Sequence, residues 1–477
     1  MRSIIWKNLL IQFSIITIVL LVSGEICQAQ DASSRPYNTF NLRNLRFGFP
    51  SLSARPAAMG GAAIAFSDDP AAITINPAGI GLFARPAVTL STRFSQNTFS
   101  EPSIDCNNNV THIKDQDRFL DLVHISAVVT FKSFRFATFR ENTFDGRFSF
   151  TALRPLVVDP NLSAEAIIRQ SFASRQTTLR TQVVDNGGSI AWRFSSKFNL
   201  GATIRLTRFE YNLSESRYFE NEIPTGGGHT CVISTPEADN LYLLQTINEK
   251  EWGVGFSGGV LIRPFDRLFV GLVYNKRPSF TLQSRTLLPQ YSVQMGDDPI
   301  PFPQQEDSSA RGIRVSIPDS YGFGLAYRSK VGLNISFDLT RVLYSQLIAA
   351  SDRIRGSNDP RNLVQDDFPD TNIDPEGAPD ITLDDQFQYR AGLEYIVKLF
   401  WDKQRFPLRI GYYNDPPQVA FSRDLKARFR DAFPRENTRH HFTAGLGLFI
   451  NDQLRVDSAV DISSNSLVIM GSSVYTF

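Results

Sequence analysis

Tyr321-Gly-Phe-Gly-Leu-Ala-Tyr-Arg328 decides the fold class. Tyr321, Phe323, Leu325 and Tyr327 fall on one face of an extended chain; Gly322, Gly324, Ala326 and Arg328 fall on the other. Successive side chains of a strand point to opposite faces, so a strict two-residue period reads as β. The pattern repeats on both sides of this octapeptide. Leu333, Ile335, Phe337 and Leu339 alternate with Asn334, Ser336, Asp338 and Thr340. Phe387, Tyr389, Ala391, Leu393 and Tyr395 alternate with Gln388, Arg390, Gly392 and Glu394. Leu200, Ala202, Ile204 and Leu206 alternate with Gly201, Thr203, Arg205 and Thr207. Each segment therefore has one apolar face and one polar or small one.

A soluble sandwich also alternates. Loop lengths argue instead for a closed barrel in a membrane. The alternation predicts strands near 86–99, 122–132, 134–144, 177–194, 198–213, 250–263, 267–285, 314–328, 331–343, 386–398, 406–414, 438–450, 452–462 and 465–477, an even number of about 14. Tight turns at 132–134, 195–197, 264–266, 328–330 and 451–452 alternate with long connections at about 145–176, 214–249, 286–313 and 344–385. Short turns at one end and long loops at the other are the mark of outer-membrane barrels. Backbone groups in lipid must pair internally, which a sheet achieves only by closing. Trp192, Phe194, Tyr327 and Trp401 lie at or near turns, as interface girdles require. Glycines on inward faces, among them Gly253, Gly255, Gly259, Gly445 and Gly447, leave lumenal room for something other than strand side chains.

Composition agrees. Apolar residues make up 42% of the 477 and charged residues 20%, which excludes a disordered chain. Phe, at 38 residues, suits strands and membrane interfaces. Residues 1–29 read as a cleaved signal peptide: Arg2 and Lys7 lead, Leu9 to Val22 is nearly all apolar, and cleavage falls after Ala29. The apolar run is short for a spanning helix of roughly 20 residues. Glu25 and Ile26 before Cys27 do not form a lipobox. This segment takes two of the 49 basic and one of the 48 acidic residues, so the mature chain is neutral and has no electrostatic footprint for nucleic acid. Cys106 and Cys231 remain in the exported chain; a disulfide between them and two free thiols are both open.

Residues 30–85 do not alternate. They contain Ser53-Ala-Arg-Pro-Ala-Ala-Met-Gly-Gly-Ala-Ala-Ile-Ala-Phe-Ser-Asp-Asp-Pro-Ala-Ala-Ile-Thr-Ile-Asn-Pro-Ala-Gly79. Pro77 fixes φ and restricts Asn76 to extended backbone. Gly79 permits close approach. Asp68 or Asp69 is placed to cap a short helix with Pro70 at its first position. The order of the pattern, a small-residue run, then Asp68-Asp69, then Asn76-Pro77-Ala78-Gly79, resembles the N-terminal region of the FadL superfamily of outer-membrane hydrophobic-compound and long-chain fatty acid transporters. The final strand, with Tyr475 two residues before a terminal Phe477, resembles the C-terminal signal read by the barrel-assembly machinery.

The resemblance implies an all-β transmembrane antiparallel barrel over 86–477, with residues 30–85 forming a hatch that contains short helices. It implies a location in a Gram-negative-type outer membrane, among outer-membrane lipids and lipopolysaccharide. It further implies passive uptake of hydrophobic compounds such as fatty acids, gated by the hatch, with a sideways exit through a wall gap in some members. Asn76, Pro77 and Ala78 would then belong to the hatch core; a purely structural turn is the other reading of the same residues. Met59-Gly60-Gly61 also resembles the PorV-like branch, whose members act as secretion accessory proteins, so a non-transporting scaffold is the alternative. Gly146 and Pro155 flank the third strand but do not place a gap.

Neither a catalytic constellation nor a cofactor or metal site is expected. No Gly-x-Ser-x-Gly elbow occurs. Adjacent His440 and His441 point to opposite faces of a predicted strand and cannot readily share a metal. Asp370, Asn372 and Asp374 are spaced like a calcium loop, but Pro375 stands where that loop needs glycine. Inward charges Arg205, Arg390, Glu394, Arg409, Arg455, Asp457 and Asp461 are expected to pair across the lumen or to hold the hatch.

Overall fold

The computed structural model describes residues 47–65, 69–104, 110–152, 155–158, 175–218, 222–223, 230–233, 241–295, 298–302, 304–349, 381–398, 405–418, 421–422 and 437–477. Fourteen antiparallel strands close into one barrel. They are β1 (Ala87–Ile104), β2 (Val110–Phe131), β3 (Phe134–Ala152), β4 (Arg175–Ser195), β5 (Phe198–Tyr218), β6 (Leu241–Phe265), β7 (Leu268–Lys276, continuing as Ser279–Leu288), β8 (Gln305–Ser316, continuing as Ser320–Arg328), β9 (Leu333–Val342), β10 (Gln386–Lys398), β11 (Arg405–Asp415), β12 (Arg439–Phe449), β13 (Leu454–Ile462) and β14 (Ser466–Thr476). Each pairs with its sequence neighbour, and β14 returns to β1 in register from Ala87↔Thr476 to Asn97↔Ser466. No described helix is long and apolar enough to cross a membrane.

Burial runs opposite to that of a water-soluble protein. Leu120 (76% exposed), Phe194 (64%), Ile335, Tyr389 and Ile410 face outward and bare, while Arg205, Glu394, Arg409 and Asp457 are buried inside. In β8 it is the face of Tyr321, Leu325 and Tyr327 that is exposed and the face of Gly322, Gly324 and Ala326 that is buried. Only lipid makes such an apolar exterior favourable.

The strands on one side reach further than the alternation predicts. β2 begins at Val110 rather than 122, β3 runs to Ala152, β5 to Tyr218, and β6 begins at Leu241 rather than 250. The connections read as loops at 145–176, 214–249 and 286–313 are therefore partly strand; the last holds a small hairpin of Tyr291–Met295 with Asp298–Phe302 and the start of β8. The extensions mix polar and apolar residues on both faces: Leu120 on β2 is outward, while Leu243 and Ile247 on β6 are buried. The period-two hydrophobic signal vanishes there although the backbone stays paired.

Two strands read as continuous are broken. β7 is interrupted at Arg277-Pro278 and β8 at Ile317-Pro318-Asp319. Proline cannot donate to a ladder. The breaks face each other, and Ile317 N–H donates to the Pro278 carbonyl (3.2 Å). Beside them, β6 pairs with β7 only as far as Phe256↔Lys276 and again at Thr246↔Arg285. Between those rungs β7 leans inward, and Phe280 stacks on Phe209 at a centroid distance of 4.9 Å.

Candidate ligand pathway

The described residues 47–65 and 69–82 lie inside the barrel. They form a short helix α1 (Ala54–Ala58) and two 3-10 turns, Pro70–Thr74 and Pro77–Leu82. Asp69 caps the first turn, its carboxylate accepting from Ala71 N–H (2.9 Å), with Pro70 at the first position. Asn76 caps the second, accepting from Ala78 N–H (3.1 Å). Its amide also donates to the carbonyls of Ile64 (2.8 Å) and Val260 (3.3 Å), tying two stretches of the segment to β6. The wall makes room for this approach. A Cβ on Gly259 would strike the Asn76 side chain, and one on Gly201 the Pro77–Ala78 peptide. Gly60 and Gly61 adopt φ of +64° and +77°, the left-handed region that glycine tolerates. Gly445 meets Ala58 in the same way, whereas Gly253, Gly255 and Gly447 face other wall residues.

Charge docks the segment to the opposite wall. Arg55 grips Glu394 with two hydrogen bonds (2.8 and 3.0 Å). Arg409 bonds Glu394 (2.6 Å) and Asp457 (2.8 Å); Arg455 bonds Asp457 (2.8 Å) and reaches Asp69 (3.4 Å). Ser53 Oγ donates to Asp69 (2.8 Å), which returns the circuit to within two residues of Arg55. Three arginines and three carboxylates thus form a buried ring with no net charge. Such a ring is stable because every desolvated charge has a partner. Asp338 adds a second clamp, accepting from the backbone N–H of Ala63 (2.6 Å) and Ile64 (2.9 Å). Arg390 donates to the Phe49 carbonyl (2.8 Å).

Above the segment is a cavity with about 210 Å³ open to water-sized molecules. Phe49, Phe119, Phe144, Leu179, Val468 and Met470 supply its apolar walls; Arg93, Asp145, Tyr413, His441 and Asp461 supply polar groups. An apolar pocket with a few convergent polar groups is the usual form of a small-molecule site. The cavity reaches a split in the wall. β2 and β3 pair from Phe131↔Phe134 up to His124↔Glu141 and no further; beyond that rung β2 pairs only with β1 and β3 only with β4. Phe119 lines the cavity from one side of the split, Phe144 and Gly146 from the other. An Asn142–Asp121 hydrogen bond bridges it. Exposed Leu120 and Leu122 put the split at the height of the apolar band.

The expected inward charges are all lumenal; Glu394, Arg455 and Arg390 meet the segment directly, and Arg409 and Asp457 link them along the wall. His440 and His441 do lie on opposite faces: His440 pairs with Tyr412 outside, His441 with Asp461 inside. Asp68, Ala29, Cys106, Trp401 and the 370–377 stretch lie outside the described residues. Cys231 sits in a short strand, Thr230–Ile233, paired with Pro155–Val158. Tyr475 and Phe477 are exposed at the end of the chain. Among the described residues no group of His, Cys, Asp or Glu is placed to hold a metal.

Sequence reasoning missed Arg55, which lies two residues beyond the quoted stretch's start, and Arg277, which pairs with Asp185 (2.6 Å) at the β7 break. An arginine beside a proline in an Ala-rich or strand segment was the available signal in both cases.

A family model described as outer membrane protein transport protein (OMPP1/FadL/TodX) matches residues 50–463. Comparison with curated sequences finds no significant match. Among solved structures, a Pseudomonas aeruginosa FadL homologue superposes with a TM-score of 0.60 at 14% identity, over 91% of this chain and 100% of that one. The Ralstonia pickettii toluene transporter TbuX gives 0.53 at 16% identity, over 91% and 100%. The toluene transporter TodX of P. putida gives 0.51 at 13%, over 90% and 99%. At these identities the structures attest the fold, and the family model spans most of the chain. The protein belongs to the FadL/TodX family of outer-membrane transport proteins.

Proposed function

We propose that this chain takes up hydrophobic compounds, long-chain fatty acids among them, by passive movement from the lumenal cavity sideways through the β2–β3 split. The carrying observation is the continuity of an apolar-walled cavity with a ladder break at the height of the lipid-facing band. Residues 30–85 act as the hatch: they close the lumen below the cavity, and Asp68, Asp69 and Asn76 to Gly79 form its turns. A sideways exit lets an apolar ligand enter lipid without crossing water, and the docked hatch keeps the lumen shut to polar solutes meanwhile. The signal peptide is cleaved after Ala29, and the barrel-assembly machinery reads Tyr475 and Phe477 during insertion beside outer-membrane lipids and lipopolysaccharide.

Cysteines at Asp121 and Asn142, in a background with Cys106 and Cys231 changed to serine, test the route. Oxidation should stop uptake of a labelled fatty acid into cells, and reduction should restore it. Unchanged uptake with the split cross-linked would reject the lateral exit. Mass spectrometry of organic extracts of the purified protein, beside the Asn76→Ala form, tests the ligand class. Secretion proteins copurifying in place of lipid would point to a scaffold.

A further inference from the structure

The cavity carries one polar device that its apolar walls do not need. His441 on β12 lines it, 7% exposed. Its Nδ1 lies 2.8 Å from Asp461 Oδ1 on β13. The Tyr413 hydroxyl donates to the other oxygen of the same carboxylate (2.6 Å). The Tyr413 ring stacks on the imidazole at 4.2 Å with an interplanar angle of 15°. The Arg390 guanidinium stacks behind Tyr413, 5.8 Å from its centroid. Three strands thus fix the imidazole in one plane and one orientation. Its remaining nitrogen, Nε2, is buried and meets no protein partner.

A carboxylate can only accept, so in the neutral ring the proton sits on Nδ1 and the lone pair on Nε2. A buried acceptor with no donor is left unsatisfied, at a cost to the empty protein. Such an atom, held rigid at the wall of an apolar cavity, is matched by a ligand that brings one O–H. We infer that His441 Nε2 is the head-group site of the cavity, accepting a hydrogen bond from the hydroxyl or undissociated carboxyl of an otherwise apolar molecule. The ligand class is accordingly narrower than hydrocarbons at large: a phenol, an alkanol or a fatty acid in its protonated form. Asp461 and Tyr413 are positioning residues, since they act through the imidazole. This rests on the cavity being the ligand site proposed above.

The test uses the full purified chain in mild detergent at pH 8 and a matched pair of probes, 2-naphthol and naphthalene, with dodecan-1-ol and dodecane as competitors. One hydrogen bond predicts that 2-naphthol binds about five-fold more tightly than its hydrocarbon counterpart. His441→Phe keeps the stacking partner and removes both nitrogens; it should bring the ratio to about one and leave naphthalene binding unchanged. Asp461→Asn unfixes the tautomer and should lower the ratio as well. Heat-modifiable gel migration reports whether each variant is a folded barrel. Dodecan-1-ol should displace 2-naphthol better than dodecane does in the wild type and lose that advantage in His441→Phe. Equal binding of both probes by the wild type, or an equal loss of both in His441→Phe, overturns the head-group assignment alone. Failure of the wild type to bind either probe overturns the cavity as the ligand site, and this inference with it.

Discussion

The lumen has two halves built on opposite principles. In the half filled by the inner segment, Arg55, Glu394, Arg409, Asp457, Arg455 and Asp69 are linked in one run of buried ion pairs, and wall glycines let two backbones touch. In the cavity half the β2–β3 wall is unzipped and Arg93 Nε, Thr181 Oγ1, Gln418 Oε1 and His441 Nε2 face the space without a hydrogen-bond partner, whereas the unpartnered Asp338 Oδ1, Asn334 Oδ1 and Arg409 Nη2 of the other half are packed in. A continuous polar network holds its members in place, whereas a wall without its ladder leaves room for another molecule.

The largest effect is expected from Glu394→Leu. It leaves the buried Arg55 and Arg409 without their shared partner, and should cost about 3–5 kcal/mol in urea unfolding followed by gel migration. A loss under 1 kcal/mol would mean that the ring does not hold the segment. Next is Gly259→Val, whose side chain collides with Asn76. Overpacking of this kind costs about 1–3 kcal/mol, and limited proteolysis should cut the N-terminal segment faster. Asn142→Ala removes the bridge across the split, which is worth about 1 kcal/mol locally. Amide exchange along β3 beyond Glu141 should quicken while the unfolding midpoint stays within error; a shifted midpoint would show that the cavity half also carries global stability. Smallest is Arg263→Ala, which breaks an exposed pair with Asp266 at a turn and should change stability by less than about 0.5 kcal/mol.

Most of the barrel could be read from the chain because a lipid-facing strand has to be apolar on alternate residues. Tyr321 to Tyr327 and Leu333 to Leu339 could hardly be anything else. The extensions of β2 and β6 were not legible, since Val110 to Phe119 and Tyr242 to Lys250 mix polar and apolar residues without a one-sided signal. The breaks at Pro278 and Pro318 were written in the sequence as mid-strand prolines, but their alignment across two strands emerges only with register. The buried ring was half legible: alternation put Glu394, Arg409, Arg455 and Asp457 inside, yet nothing local joins Asp69 to Arg455, 386 positions away. The Asp461–His441 pair was hidden for the same reason, because its two strands meet through a turn whose register fixes which side chains face each other.

The seam between β1 and β14 has a further consequence for how the molecule is made. The inner segment precedes β1 in the chain, and its contacts include β13 and β14, the last strands of the barrel in chain order. Ser53 reaches Ser472, and Arg455 reaches Asp69. The contents of the barrel are therefore translated first and their final walls last. Unless a finished cylinder is later threaded, the segment has to be in place before Ala87 meets Thr476. On this order of manufacture, joining the two ends of the chain is also the act that seals the cargo inside, and a chain stopped short of Ser466 would be an open trough with its filling unsecured.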